Sequence, residues 1–235
     1  MEINSLTNQL NSTKGYSKYF LYIAILFVAI LMISNTVATK LFQLGPFFFT
    51  GAIMIFPISY IFSDILTEVY GYRASRKIIW AGFASIIVMS IVYYLVQLLP
   101  PAPFWPNQQA YEVILGLVPR IVLGSIVGYF AGEFSNSYVL SKLKIWTKGK
   151  HLWARTISST IIGEGVDTIL FGTIAFAGTI PWNNLILVII SGYIAKVLIE
   201  ILFTPITYII VKKLKHLEGI DVYDYGVDYN PFRLK

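Results

Sequence analysis

The chain has 235 residues and no cysteine; 56% of its residues are hydrophobic and 13% charged, with a net charge of +6. A soluble domain carries about 25% charged residues, so this deficit, with a mean hydropathy of +0.68, excludes a wholly water-exposed fold. The missing cysteines exclude disulfides, thiolate metal sites and thiol nucleophiles.

Residues 1–18 are polar and carry Lys14 and Lys18. The apolar run after them is too long for a signal-peptide core and has no small-residue cleavage site, so it reads as a retained first span. Six runs reach the roughly 20 residues a membrane helix needs: 19–39, 48–70, 78–99, 113–140, 156–178 and 184–211. Backbone amides in lipid must be bonded within their own segment, so these runs are expected to be helices. The first ends with Asn35 and Thr39 at i and i+4, followed by Lys40, which can snorkel. The second contains Asp64 and Glu68 on one helical face, and Pro57, which is expected to kink it. The PPAPFWP run from Pro100 to Pro106 reads as a stiff loop with aromatic anchors.

Span four holds Arg120 about two turns in, then Gly124, Gly128 and Gly132. That small-xxx-small stripe suits close helix packing inside the chain or a homo-oligomer seam. Span five holds Glu164 and Asp167 at i and i+3. Span six holds Lys196 and Glu200, a pair able to neutralise itself, and Pro205. The links sort by charge: 15 of the 18 basic residues lie before span one, between spans two and three, between four and five, or after six. Links 100–112 and 179–183 carry none. The positive-inside rule then puts both termini in the cytoplasm. The basic excess is an orientation signal rather than a nucleic-acid footprint, and no direct nucleic-acid binding is expected. The fold expected is an all-α membrane protein, a six-transmembrane-helix bundle over 19–211. A cytoplasmic segment, 1–18, precedes it and a cytoplasmic tail, 212–235, follows, whose aromatics are able to cap the inner mouth.

Carboxylates in spans are expensive unless they face a cavity, a partner or a substrate. The pairs Asp64/Glu68 and Glu164/Asp167 need Arg120, Lys196, a proton or a ligand to offset mutual repulsion. The candidate ligand site is therefore Glu164, Asp167, Asp64 and Glu68, with Asn35, Lys196, Glu200 and Arg120 as further polar groups. No P-loop motif and no Gly-x-Gly-Asp protease signature occur, and the two histidines, His151 and His216, lie outside the spans. An enzyme, a metal site and a bound cofactor are all unsupported.

Three blocks, SNTVATKLF (34–42), FPISYIFSDILTEVYGYRASRKIIWAGF (56–83) and EGVDTILFGTIAF (164–176), resemble the queuosine precursor transporter family, also called the vitamin uptake transporter family. The resemblance implies a multi-pass protein of the cell membrane that imports 7-cyano-7-deazaguanine or 7-aminomethyl-7-deazaguanine for tRNA modification. For such a substrate a carboxylate accepts both N–H groups of the guanine-like edge in one bidentate contact, Asn35 or Lys196 can donate to O6, and Phe171, Tyr60 and Tyr193 are the candidates to stack on the flat ring. The family is similar in span number to substrate-binding subunits of energy-coupling-factor transporters, which leaves an energising partner open. The coupling pattern of those subunits is not clear in span one, where Ala24 and Ala29 are five apart.

Overall fold

The computed structural model describes residues 18–232, so the segment before Lys18 and the bases Arg233 and Lys235 lie outside it. In chain order come α1 (Lys18–Val37), β1 (Leu41–Leu44), β2 (Phe47–Thr50), a 3-10 turn (Gly51–Met54), α2 (Phe56–Tyr70) and α3 (Tyr72–Gln97). Then follow α4 (Gln108–Leu115), α5 (Val118–Trp146), α6 (Leu152–Phe176) and α7 (Trp182–Glu218).

Among the described residues, five helical stretches are long and apolar enough to cross a membrane: α1, α3, α4 with α5, α6 and α7. The second expected span is the exception. Residues 48–55 are not helical, and α2 has 15 residues. At 1.5 Å per residue that is about 22 Å, short of a hydrocarbon core of about 30 Å. The reason is local. Aromatic Phe47–Phe49 pairs as a strand with Leu41–Leu44, in the register Leu41↔Thr50 to Leu44↔Phe47. Gly45 opens the two-residue turn at φ +59, as a tight hairpin requires. Pro57 does not kink a helix; it occupies the first turn of α2, where its missing N–H costs nothing. Pro205, by contrast, does lie inside a continuous α7.

The surface is inverted relative to a soluble protein. Leu21, Ile25, Leu95, Ile169, Leu198 and Ile209 are exposed, whereas Asp64, Glu133, Glu164, Asp167 and Glu200 are each 2% exposed or less. Apolar side chains face lipid, and polar ones turn to an internal axis. α1 begins and α7 ends at the same end of the bundle: Phe20 packs in one cluster with Tyr70, Leu152, Val211 and Leu214. That end carries the basic links and is called the basic end. The hairpin lies toward the opposite end.

The closest helix contact is between α5 and α6. A Cβ at Gly132 would come within 2.6 Å of the Gly163 carbonyl oxygen and of Asp167 Cβ; at Gly128 it would meet the Asp167 carbonyl at 2.8 Å. Gly124 faces Phe171 and Ala175 in the same way. Of the two readings of the stripe, the structure shows close packing inside the chain, because only a residue without Cβ allows these two backbones to approach.

The tail is also docked. α7 runs through 212–218, and residues 219–232 fold back over α3 and α5. The Tyr72 amide, at the start of α3, donates to Asp224 at 3.1 Å; Ser141 donates to the same carboxylate at 2.7 Å. Arg76 donates to the carbonyls of Asp228 and Asn230, and Trp80 to that of Pro231. Gly71, at φ +84, makes room: a Cβ there would meet Val222 at 2.7 Å. The aromatics expected at the inner mouth, Tyr229 and Phe232, pack on Tyr72, Tyr138, Trp80 and Phe130.

Gly132→Ala is expected to lower stability by about 1–3 kcal/mol through overpacking. Gly165→Ala, whose new methyl would find its nearest neighbour at 3.6 Å, should be neutral or slightly stabilising. Thermal unfolding of the two purified variants in one detergent checks the contrast.

Candidate functional site

A cavity of about 50 Å³, partly open to its surroundings, lies in the hairpin half of the bundle. Its walls come from α1 (Ser34, Asn35), the hairpin and 3-10 turn (Phe49, Thr50, Ile53), α5 (Ser125), α6 (Thr168, Phe171) and α7 (Ile189, Gly192). Phe56, Asp167 and Lys196 line its deep side. The hairpin and 3-10 turn, 41–54, wall the cavity through Phe49, Thr50 and Ile53 and are braced on α7, where the Phe48 amide donates to Ser191 at 3.4 Å.

Lys196 organises the deep side. Its ammonium lies 2.7 Å from Asp167 and 2.9 Å from Glu164, donates to Thr168 at 3.2 Å, and sits 4.5 Å from the centroid of the Phe56 ring. The i, i+4 partner expected for it, Glu200, is not used; Glu200 lies instead against Asp64 of α2. The helix phase explains the choice, since the α6 acids are directly across from Lys196. Asp167 and Asn35 each keep one buried oxygen without a hydrogen-bond partner among the described residues. The Asn35 amide nitrogen is already used, bonded to the Leu31 carbonyl at 2.8 Å.

Below the cavity a column of polar groups continues toward the basic end, one stripe from each of α2, α5, α6 and α7. Glu133 of α5 accepts from Ser63 and, at 3.2 Å, from Ser137. Asn136 donates to Asp64 at 2.8 Å, and Thr67 meets Ser137 at 3.2 Å. Tyr60 stands between cavity and column, edge-on to Phe56 and Tyr129. The column ends at Glu68, which is 1% exposed and bonded to Arg155 at 2.5 Å and Lys215 at 2.7 Å, with Lys144 at 3.7 Å. Asp221 of the tail binds Lys144 at 2.7 Å and Lys215 at 3.0 Å.

Of the residues selected from the sequence, the structure brings Asn35, Asp167, Phe171 and Lys196 to the cavity, with Glu164 directly behind Lys196. Asp64 and Glu200 lie in the column. Glu68 is at the basic end, away from the cavity. Arg120 does not neutralise the acidic pairs; it donates to the carbonyls of Ile174 and Ala177 at the end of α6. Tyr193 bonds the Ile161 carbonyl on the outer side of α6. Sequence reasoning passed over Glu133 and Asn136. The signal was present, since Tyr129, Glu133 and Asn136 recur at helical spacing along one face of span four.

Outside the spans, burial pushes the Asp221 carboxyl up, but hydrogen bonds from Lys144 and Lys215 outweigh it and hold the group below the ordinary aspartate range. A depressed carboxyl stabilises the fold above its unfolded pKa and loses that contribution as pH falls through the folded one. The tail's ionic contact is therefore intact at neutral pH and fails only in acid.

Comparisons with known proteins agree with the membrane architecture. The family model described as "Putative vitamin uptake transporter" matches residues 50–210. A Bacillus subtilis protein named "Probable queuosine precursor transporter" is 29% identical over 206 residues, covering 87% of this chain and 89% of its own. The Escherichia coli "Queuosine precursor transporter" is 25% identical over 202 residues, covering 83% of this chain and 87% of its own. No solved structure matches.

Removing one partner of a buried ion pair costs about 3–5 kcal/mol, because the other charge is left stranded. Lys196→Met is expected to lower the unfolding temperature strongly. Adding Asp167→Asn and Glu164→Gln to it should recover most of the loss. Melting curves of the single and triple variants make the test.

Proposed function

The chain belongs to the vitamin uptake transporter family, and we propose that this multi-pass membrane protein carries queuosine precursors, the deazaguanines bearing a 7-cyano or 7-aminomethyl group, into the cell. The observation that carries the reading is the cavity's chemistry. Asp167 and Asn35 line it and each retains a buried, unpartnered oxygen. A guanine-like edge offers an N1–H and an exocyclic amine to such acceptors, and its O6 accepts from an ammonium such as Lys196 or a hydroxyl such as Ser125. Phe49 and Phe171 both line the cavity, and their aromatic faces are the surfaces on which the flat ring would stack. The relatives named for queuosine precursors, matched over most of their length, support the same substrate class.

The direct test is a cell lacking both precursor synthesis and its own importer. Expression of this chain with micromolar deazaguanine is expected to restore queuosine in tRNA. Membrane-inserted protein with unmodified tRNA would overturn the assignment. Asp167→Asn replaces one acceptor by a donor and leaves a substrate N–H unpaired, at about 1–3 kcal/mol. Binding to purified variant at matched folded concentration should weaken about tenfold to a hundredfold.

In the same reading the basic end is cytoplasmic, and α2 with the hairpin completes a sixth crossing. The absence of native cysteine makes labelling clean. Cysteines at Asn107 and Asn183 should react with an impermeant reagent added outside, and one at Lys148 should not; the reverse pattern would refute this orientation.

A further inference from the structure

Two spaces approach the polar column from opposite ends. The cavity reaches down to Asp167 and Lys196. At the basic end a cleft between α6 and α7, lined by Gly149, Leu152, Arg155, Tyr208 and Lys215, reaches Glu68. Between them lie the buried carboxyls, amide and hydroxyls of the column, with Tyr60 at its cavity end. Glu68 is the last of these groups, and its partners come from three other helices: Lys144 on α5, Arg155 on α6 and Lys215 on α7. The tail closes the cluster through Asp221.

We propose that Glu68 and its cations are the gate at the basic end of the transport path, with α2 as the moving element that links the gate to the cavity; this rests on the transport reading above. Three features argue for a gate over a fixed brace. An apolar plug would hold the helices at least as firmly as a buried ion cluster, so ionic closure adds no stability of its own. It differs in that water and a polar substrate can replace its bonds one by one. The cleft already brings solvent to the cluster, since the side chain of Lys215 is 22% exposed and that of Asp221 40%. And α2 touches both ends of the path. Phe56 in its first turn packs under the Lys196 ammonium, and Glu68 lies twelve residues on, about 18 Å along the helix. Non-helical Ile55 precedes it and Gly71, at φ +84, follows it, so α2 is bounded by a break at each end and can shift as a rigid unit. A substrate competing for Lys196 would displace Phe56, and with it Glu68.

Thr67, one residue from Glu68 and 2% exposed, reports on the gate. Thr67→Cys would be the lone thiol of the chain. In inside-out vesicles, an impermeant thiol reagent is expected to label it slowly in the parent. Labelling should be at least about tenfold faster with Glu68→Gln, and faster to a smaller degree with Asp221→Asn, whose exposed site tolerates the change. Melting temperature confirms that each variant is folded. Unchanged labelling in folded Glu68→Gln protein would make the cluster a static brace and end the proposal. Should Glu68→Gln fail to fold, the Asp221→Asn rate decides by itself: acceleration supports the gate, and a parental rate refutes it. The readout needs no substrate. If variants accelerate labelling but neither deazaguanine changes the parental rate, the gate stands and the substrate assignment falls.

Discussion

Carboxyl groups on four facing helices, with lipid outside and no water to receive them, are the constraint around which this bundle is built. Each of Asp64, Glu133, Glu164, Asp167 and Glu200 is buried, and burial of such groups is tolerable only where they meet one another, a cation or a polar guest. The helices consequently turn their polar stripes to a common axis. Lys196 is the one cation bonded to this middle set among the described residues, and it serves the two α6 acids. The imbalance of acids over bases leaves acceptors unpaired next to a cavity, which is what a donor-rich heterocycle requires.

The glycine stripe of α5 serves the same axis. By letting α5 and α6 meet backbone to backbone it brings Gly128 and Gly132 against Asp167, so the packing of that pair positions the principal acid of the cavity. A residue that looks purely structural and one that looks purely functional are in van der Waals contact. Changes at either are expected to be felt at both, as contacting sites are generally non-additive.

The irregular backbone of 41–54 meets the bundle through β2, whereas β1 is largely exposed. The second hairpin strand and the 3-10 turn occupy the start of the run expected to be a spanning helix; the hairpin is braced on α7 through Ser191, and the Gly51 amide bonds the Lys40 carbonyl in the link after α1. The result is a short α2 whose start faces the cavity and whose end lies in an ion cluster. At the opposite side the tail wraps α3 and α5, so that the basic end is closed by polar bonds from four helices and a loop.

Membrane class, the apolar runs, the alternation of basic links and the set of carboxylates within spans were all legible in the sequence, because transfer cost and charge counts are properties of segments taken singly. The blocks 34–42, 56–83 and 164–176 were enough to indicate the family. Pairing was not legible. Lys196 had Glu200 four residues away on its own helix, yet bonds Glu164 and Asp167; Arg120 was a candidate partner for buried acids, yet holds carbonyls at the end of α6. Residues 48–55 were read as the start of the 48–70 span, yet form a hairpin strand and a 3-10 turn. These outcomes depend on the rotation and depth of each helix relative to its neighbours. Only the assembled bundle sets those, through close backbone contacts such as Gly132 on Gly163, and so only the tertiary structure decided which carboxylates lie at the cavity and which lie in the ion cluster at the basic end.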